Sequence, residues 1–255
     1  MGKENTTVCN SEFLTEARKI LDAAEQRGIV LRLLGSIAFR IHCPTFSYLF
    51  EKFERPLTDL DFITRKTCAP SLPEFFAKLD YEFDKSLALI TRGKRYKFKH
   101  KKKEIVVDIF FDKLDMCHVI DLTKRLEVDS PTLSVSDLLL EKLQIVEITK
   151  KDIQDVIVLL LEHDVGNEDR EMVNSEYIAQ LCSKDWGLWK TATTNLMKLR
   201  QFLSYVDIES KHKATVTSRI EKILQTINAK PKYISWRLRS LIGERKRWYK
   251  VVEAL

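Results

Sequence analysis

The stretch LLGSIAFRIHCPTFSYLFEKFERPLTDLDFIT, residues 33–64, decides the fold. An apolar run ends at Gly35 and Ser36, and two aspartates, Asp59 and Asp61, later stand on either side of one leucine. Residues two apart on a strand leave the same face of the sheet, so both carboxylates point the same way. Two carboxylates this close repel each other unless a cation lies between them. The stretch therefore predicts a cation site on one face of a sheet.

A third carboxylate lies in the apolar stretch EIVVDIFF, residues 104–111. Asp108 interrupts an otherwise buried strand, and an unpaired carboxylate there would cost several kcal/mol. Three aspartates on adjacent strands would form a site for two divalent cations. Mg²⁺ (or Mn²⁺) is expected, because Mg²⁺ prefers carboxylate, water and phosphate oxygens. The predicted catalytic and metal-binding residues are Asp59, Asp61 and Asp108.

The Gly35-Ser36 pair follows a predicted strand (29–34) and precedes a predicted short helix. A glycine turn at a helix N-terminus presents backbone N–H groups and a hydroxyl to an anion, and glycine lets the backbone approach a phosphate closely. An ordinary strand-to-helix turn has the same pattern, so the pair gains weight only together with the aspartates. The combination predicts that Gly35 and Ser36 bind the β- and γ-phosphates of a nucleotide.

A lysine lies on the apolar side of a predicted helix over 134–149. At helical spacing Lys142 falls in the middle of an arc formed by Leu138, Leu139, Leu143, Ile145 and Val146, whereas Glu141, Gln144 and Glu147 fall on the other side. Such a lysine either extends its ammonium past its neighbours to water or reaches a polar site, where it would contact triphosphate oxygens. Asp152 and Asp155, at the start of the next helix, are either complements of the helix dipole or functional acids, and the choice between them stays open.

Mixed strand and helix signals continue to about residue 130, and the pattern is helical beyond it. We expect an α+β fold, a mixed sheet flanked by helices and followed by a C-terminal helical bundle. The predicted domains are 1–130 (α/β) and 131–255 (helical). In the second domain, 134–163 would complete the active site and 174–255 would form a basic bundle. A strand pair is predicted across 81–111, with Gly93-Lys94-Arg95 as its turn, and the last helix is predicted over 231–253.

Composition narrows the class of protein. The chain has 255 residues, 44% of them hydrophobic and 31% charged, and its net charge is +6. It holds no GxSxG, HExxH or P-loop motif, and its apolar runs are shorter than the roughly 20 residues that span a bilayer. Five separated cysteines, the first of them Cys9, without a CxxC pair, indicate free thiols. With no signal-peptide pattern at the N-terminus, we expect a cytoplasmic protein without a membrane partner.

Two basic tracts carry interleaved aromatic residues. Residues 92–103, RGKRYKFKHKKK, contain eight Lys or Arg and no acid, and residues 232–250 contain seven basic residues and one acid. Such tracts are often solvated faces, but two in one chain favour a surface that binds phosphates. Trp236, Trp248 and Tyr249 would offer stacking platforms for a single-stranded RNA end.

The order of these motifs resembles the nucleotidyltransferase superfamily with the polymerase-beta-like palm. The matching residues are Leu34, Gly35, Ser36, Asp59, Asp61 and Asp108. The 22 residues between Ser36 and Asp59 exceed the common spacer, and an inserted helix would absorb the excess. Residues 131–165, with a helical lysine before a basic-Asp pair, look like the AbiEii/MenT-type toxin branch, in which Lys142 and Asp152 would bind the nucleotide. The resemblance to the superfamily implies that the first domain is palm-like.

From these observations we expect an enzyme, a metal-dependent nucleotidyltransferase that transfers NMP from an NTP to a hydroxyl acceptor. The resemblance implies tRNA as acceptor and a toxin role, with an acidic antitoxin protein as partner. The alternatives are a nucleotidyltransferase for small molecules such as aminoglycosides, and a non-catalytic RNA- or protein-binding module that retains the palm fold. The preferred NTP, the oligomeric state and the biological role are not predicted.

Overall fold

The structure, a computed structural model, describes residues 10–252. The strands in this range are β1 (Leu31–Leu34), β2 (Leu60–Thr64), β3 (Tyr81–Phe83), β4 (Arg95–His100), β5 (Val106–Phe111), β6 (Lys113–Asp115), β7 (Val119–Asp121), β8 (Asp164–Gly166) and β9 (Met172–Asn174). The α-helices in the same range are α1 (Asn10–Glu25), α2 (Gly35–His42), α3 (Tyr48–Lys52), α4 (Leu72–Ala77), α5 (Lys85–Ile90), α6 (Val135–Leu143), α7 (Lys150–Glu162), α8 (Ser175–Lys184), α9 (Trp186–Phe202), α10 (Ser210–Ala229) and α11 (Ile234–Ile242).

The central sheet is mixed, with the strand order β1-β2-β5-β4-β3. β2 and β5 pair in parallel, the other neighbours on this path are antiparallel, and β6 and β7 continue from β5 as a short antiparallel extension. Helices flank the sheet, and the chain is mainly helical after residue 134. The predicted α+β class, a mixed sheet followed by a helical C-terminal region, is confirmed.

The outer edge of β1 is covered by a segment from far along the chain. Leu33 donates its N–H to Pro131 O at 3.0 Å, and Leu133 donates its N–H to Leu33 O at 2.9 Å. These bonds set residues 131–133 parallel to β1. The strand that leads into Gly35 is therefore hydrogen-bonded on both sides, which fixes the position of the turn that follows it.

The two faces of the sheet have different chemistry because side chains alternate along each strand. Leu60, Val107 and Phe98 lie side by side in register and are buried. Phe98 stacks on Phe76 of α4 with ring centroids 4.2 Å apart. The opposite face carries the acids, with Asp61 of β2 directly beside Asp108 of β5. The packed face holds the sheet rigid, and the acidic face is left for chemistry.

Three predicted boundaries differ from the observed ones. The hairpin between β4 and β5 turns at residues 101–104, so the prediction of Gly93-Lys94-Arg95 as the turn is wrong. The side chain of Asp84 accepts the Leu87 N–H at 2.9 Å and starts α5, and Gly93, at φ +70°, ends the turn after that helix. The glycine of the predicted turn thus belongs to the C-terminal end of a helix, and Arg95 already begins β4.

The helix predicted over 134–149 ends at Leu143. Asn195 of α9 donates its side-chain N–H groups to Leu143 O at 3.0 Å and Ile145 O at 2.7 Å. These two carbonyls would otherwise need backbone N–H groups from further turns of the helix. Thr149 and Asp152 then form a capping box that starts α7. The helix predicted over 231–253 is likewise shorter, because Gly243, at φ +57°, ends α11.

Three other predictions concern membrane-spanning helices, cysteines and domains. Within residues 10–252, no helix has the length and apolar character needed to cross a bilayer. The four cysteines of this range are free thiols, and Cys9 lies outside the described residues. The division into domains at 130/131 stays a prediction. One cluster of buried residues runs from Phe13 of α1 to Ile227 of α10.

Candidate active site

Three aspartates converge on the acidic face of the sheet. Carboxylate oxygens of Asp59, Asp61 and Asp108 lie within 4.8 Å of one another. Asp61 and Asp108 are neighbours across the parallel pair β2–β5, and Asp59 precedes β2, where the Thr58 hydroxyl donates to its carboxylate at 3.0 Å. The structure thus brings together the three residues that the sequence indicates.

Gly35 lies directly against this cluster. It begins α2 with φ +67°, a conformation that side chains disfavour. A Cβ at this position would lie 2.3 Å from Asp61 Oδ2, so the close approach of backbone and carboxylate requires glycine. Ser36 follows in the first turn of α2, and within residues 10–252 its hydroxyl has no hydrogen-bond partner. The turn and the aspartates therefore form one site.

The N–H group of Gly35 donates to Glu141 Oε2 at 3.0 Å. Sequence reasoning missed Glu141, because helical spacing places it on the polar side of its helix. Every residue of α6 is in fact buried, since the helix packs against α2, α7 and α9. Burial raises the pKa of Glu141, and the charge of Lys142 and the Gly35 N–H oppose that rise.

Lys142 is buried in a group of carboxylates. Its ammonium lies 3.2 Å from Asp152 Oδ1, 3.4 Å from Glu141 Oε1 and 3.6 Å from Asp155 Oδ2. Burial would lower the pKa of Lys142, but the charges of Glu141, Asp155 and Asp152 outweigh it and raise that pKa, so the ammonium stays charged. Asp152 and Asp155 of α7 therefore both reach the same lysine.

The two acids of α7 are held differently. Asp152 accepts the Thr149 N–H at 3.1 Å and the Thr149 hydroxyl at 2.6 Å. Burial opposes ionisation of Asp152, but Lys142 and the Thr149 hydrogen bonds lower its pKa below the ordinary value. Asp155 accepts two hydrogen bonds from Arg55, at 2.9 and 2.7 Å. Arg55 is a further residue that sequence reasoning missed.

Asp108 also has a cationic partner that the sequence did not indicate. Arg95 of β4 donates to its two carboxylate oxygens at 2.9 and 2.8 Å. Burial would lower the pKa of Arg95, but the hydrogen bond and charge of Asp108 outweigh it and raise that pKa. Lys97, the direct neighbour of Asp108 in β4, is a second basic residue at this position of the sheet.

The site has an excess of negative charge. Six acids (Asp59, Asp61, Asp108, Glu141, Asp152 and Asp155) lie around three cations that pair with members of this group (Arg55, Arg95 and Lys142), so the acids outnumber these cations. Burial raises the pKa of Asp61 well above its ordinary value, and the charges of Asp59, Glu141 and Asp108 raise it further, while Lys142 opposes the rise. Three clustered carboxylates with unbalanced charge are a donor set that fits a hard divalent cation such as Mg²⁺.

A cavity of about 710 Å³ is lined by Arg95, the partner of Asp108, but by none of the three aspartates. Its cationic lining residues are Lys66, Arg92, Lys94, Arg95 and Lys113, and its acids are Asp112, Asp115 and Asp121. Asp115 is already paired with Lys94 at 3.1 Å and with Lys250. Phe110 and Ile90 add apolar surface. The first basic tract therefore contributes to a cavity next to the acids rather than to a remote face.

The second basic tract packs on α9. Trp248 donates its indole N–H to the Thr191 hydroxyl at 3.1 Å, and Trp236 meets Trp189 edge to face with centroids 5.1 Å apart. Lys250 donates its N–H to Cys117 O at 2.9 Å, so the tract also touches the turn between β6 and β7. These aromatic rings are half-buried, and their packing joins the end of the described chain to α9.

Comparison with known proteins gives a distant likeness. No protein-family model matches the chain, and no curated protein matches it in sequence. Among solved structures, the solution structure of the antibiotic-resistance factor ANT(2'')-Ia, a nucleotidyltransferase, is similar with a TM-score of 0.41 and 12% identity. The match covers 59% of this chain and 83% of that one. A likeness of this size carries no residue roles to this chain, and the AbiEii/MenT-type resemblance stays a prediction.

Proposed function

We propose that this protein is a metal-dependent nucleotidyltransferase that transfers a nucleoside monophosphate from an NTP to a hydroxyl acceptor. The observation that supports this most directly is the convergence of Asp59, Asp61 and Asp108 within 4.8 Å, against a glycine turn that opens a helix. An acidic cluster suits a cation, and a glycine turn at a helix N-terminus suits a phosphate group. Their close approach suits a site where a cation and a phosphate group are bound together.

In this proposal Asp59, Asp61 and Asp108 hold Mg²⁺ or Mn²⁺. Bound there, the metal supplies positive charge for the phosphoryl oxygens. Arg95 donates to both oxygens of Asp108 and so fixes the orientation of this carboxylate within the cluster. Positioning of this kind, together with charge neutralisation, carries most of the catalysis of phosphoryl transfer, and no nucleophilic side chain is needed.

The other groups would bind the triphosphate. Ser36 offers a hydroxyl in the first turn of α2. Lys142 supplies a fixed positive charge, and Glu141, Asp152 and Asp155 hold its ammonium in place. Glu141 also accepts the Gly35 N–H. Triphosphate binding would therefore compete with Glu141 for that N–H group.

The cavity beside Arg95 is the proposed acceptor site, and its lining favours an anionic acceptor. Apart from Arg95, which is paired with Asp108, and the Lys94–Asp115 pair, the lining has the cations Lys66, Arg92 and Lys113 against the acids Asp112 and Asp121. This excess of positive charge would favour a phosphate backbone over a polycationic aminoglycoside. Phe110 and Ile90 would contact a base. We therefore propose an RNA end, with tRNA as the form that the family resemblance implies. A toxin role with an antitoxin partner rests on that resemblance alone.

The proposal is tested by incubating the protein with Mg²⁺, total RNA and each NTP labelled at its α-phosphate. We expect label in a tRNA-sized band, and a rate at least about 100-fold lower for Asp61→Asn, as expected when a group that stabilises transition-state charge is removed. The matched control is Asp22→Asn, which makes the same change on the exposed face of α1 and should keep the full rate.

Each outcome separates the alternatives. Label on an added aminoglycoside instead of RNA would keep the chemistry and refute the RNA acceptor. No transfer to any acceptor, from a folded protein that binds RNA and shows no stabilisation by Mg²⁺ and NTP, would refute the enzyme and favour the non-catalytic binding module.

A further inference from the structure

A second cluster of metal-binding residue types lies away from the aspartates. His42 ends α2, His163 follows α7, and Glu171 precedes β9. A ring nitrogen of each histidine and a carboxylate oxygen of Glu171 lie within 4.8 Å of one another. Helix α2 begins at Gly35 in the candidate active site, so the two clusters lie at opposite ends of that helix.

His163 has an unusual hydrogen-bond environment. It is 4% exposed, its Nδ1 lies 3.0 Å from Glu171 O, and its Nε2 lies 2.9 Å from His42 O. Both neighbours are carbonyl oxygens, which only accept, whereas a neutral imidazole has one N–H to donate. One ring nitrogen therefore points a lone pair at oxygen unless a proton or a metal ion lies there. Glu171 Oε2, 3.7 Å from Nδ1, adds a charged oxygen at the same place.

His42 is oriented in the way that metal-binding histidines usually are. Its Nε2 lies 3.1 Å from Leu133 O and 2.6 Å from the Thr132 hydroxyl. Because Leu133 O only accepts, Nε2 carries the hydrogen and the other ring nitrogen keeps a lone pair. Asp129 Oδ2, 3.7 Å from Nε2, adds a carboxylate behind the ring. Ligating histidines commonly donate their second N–H to such carbonyl or carboxylate oxygens.

The surroundings would admit an ion. A cavity of about 470 Å³ is lined by His42, Asp129, His163 and Glu171. The Glu171 side chain is 68% exposed, so its carboxylate is reached from solvent. Glu162, which also lines the cavity, is engaged by the backbone N–H groups of Thr45 and Phe46. The donor set is thus two imidazoles and one carboxylate, with one side open, and an ion would replace one of the two carbonyl contacts of His163.

We propose that His42, His163 and Glu171 bind one zinc-class divalent cation, with the fourth position open to the cavity. Two nitrogen donors and one oxygen donor suit Zn²⁺ or Co²⁺ rather than Mg²⁺. The ion would tie the last residue of α2 to the residue that follows α7. Gly35 begins α2 and Asp152 lies in the first turn of α7, so the ion would join the C-terminal ends of two helices whose N-terminal ends lie in the candidate active site.

The test uses the full chain carrying Asp59→Asn and Asp61→Asn, which removes the acidic cluster. Co²⁺ is titrated near neutral pH and followed by visible absorption, and Zn²⁺ by calorimetry. We expect one equivalent of either metal to bind. Binding should be lost in His163→Gln and at least about tenfold weaker in Glu171→Gln. Glu168→Gln, an exposed residue of the same loop, and His118→Gln, a buried histidine elsewhere, are the controls and should bind normally.

The Glu171→Gln variant keeps the test decisive even if a buried histidine variant does not fold. Glu171 is exposed, so its variant folds even if His163→Gln does not, and it then decides alone. The proposal is overturned if the doubly substituted chain binds neither Co²⁺ nor Zn²⁺. It is equally overturned if Glu171→Gln and a folded His163→Gln bind both metals as tightly as their parent.

Discussion

Replacing Asp61 with asparagine should stabilise the metal-free protein while abolishing its activity. The substitution keeps the shape of the side chain and removes one of three converging negative charges. The backbone of Gly35 lies against the Asp61 carboxylate, so Asp61 has no room to move away from Asp59 and Asp108. The repulsion is therefore a property of the folded state, and it disappears when the chain unfolds.

The size of the effect follows from the distances. Carboxylate oxygens up to 4.8 Å apart repel by about 3.5 kcal/mol per pair at an effective dielectric constant of about 20. Asp61 has two such neighbours, Asp59 and Asp108, which together give about 7 kcal/mol. The charge of Lys142 and the pairing of Asp108 with Arg95 offset most of this repulsion. We expect a net stabilisation of about 2 kcal/mol for Asp61→Asn, or about 4–8 °C in Tm for a chain of this size.

The pH dependence of the free energy of unfolding gives the sign of the Asp61→Asn effect independently. The pKa of Asp61 in the folded protein lies above its ordinary value of 3.8, so the folded state binds this proton more tightly than the unfolded state. The free energy of unfolding contributed by Asp61 therefore falls as pH rises from 3.8 through the raised pKa. The advantage of Asp61→Asn should be full at pH values above the raised pKa and should vanish as the pH approaches the ordinary value.

The assay is thermal unfolding in EDTA at several pH values, repeated with excess Mg²⁺. Mg²⁺ should raise the Tm of the parent protein by mass action and leave Asp61→Asn nearly unchanged. Asp22→Asn, on the exposed face of α1, should differ from the parent by less than about 0.5 kcal/mol. A Tm for Asp61→Asn in EDTA that stays equal to or below that of the parent as the pH is raised across the whole series would refute the proposed charge repulsion.

Three further substitutions test the supports of the site. Gly35→Ala should lose activity and at least about 1–2 kcal/mol of stability, measured by urea unfolding, because its Cβ meets Asp61 Oδ2 at 2.3 Å and φ is +67°; a fully active variant would contradict the close approach. Arg55→Leu should cost about 2–3 kcal/mol, because buried Asp155 loses both of its Arg55 hydrogen bonds and keeps only the Lys142 ammonium at 3.6 Å, and adding Asp155→Leu should recover part of that loss; additive losses in the double variant would count against a buried pair. Asn195→Ala should cost about 1–3 kcal/mol by freeing two buried carbonyls at the end of α6, and an unchanged midpoint in urea unfolding would show that water satisfies them.

The acidic half of the site could be predicted because its signals are local. Asp59 and Asp61 share a face by the two-residue period of a strand, and Gly35 with Ser36 marks a turn before a helix. Asp108 stands out as the one acid in an apolar strand. The long spacer after Ser36 was expected to hold a helix, and α3 lies there. Each of these inferences needs only neighbours along the chain.

The partners of these acids could not be predicted, because they come from remote parts of the chain. Arg55 lies 100 residues before Asp155, and Gly35 lies 106 residues before Glu141. Arg95 is only 13 residues from Asp108, but it belongs to a tract of eight basic residues in which the sequence does not mark one member as different. Glu141 was assigned to a solvent-exposed side by helical spacing, but α6 is surrounded by other elements and has no solvent-exposed side. Pairing across the fold depends on topology, which periodicity does not encode.

The segment at residues 131–133 has a consequence for how the chain can be cut. It pairs with β1 after the ribosome has synthesised about 100 further residues, so a nascent chain released at residue 130 would carry a strand whose outer N–H and C=O groups are unpaired. Such open edges are templates for association with other chains. A gene fragment that encodes 1–130 should therefore yield insoluble protein, whereas one that continues past Leu133 keeps the strand covered. Any split, fusion or circular permutation of this protein should leave residues 131–133 attached to the sheet.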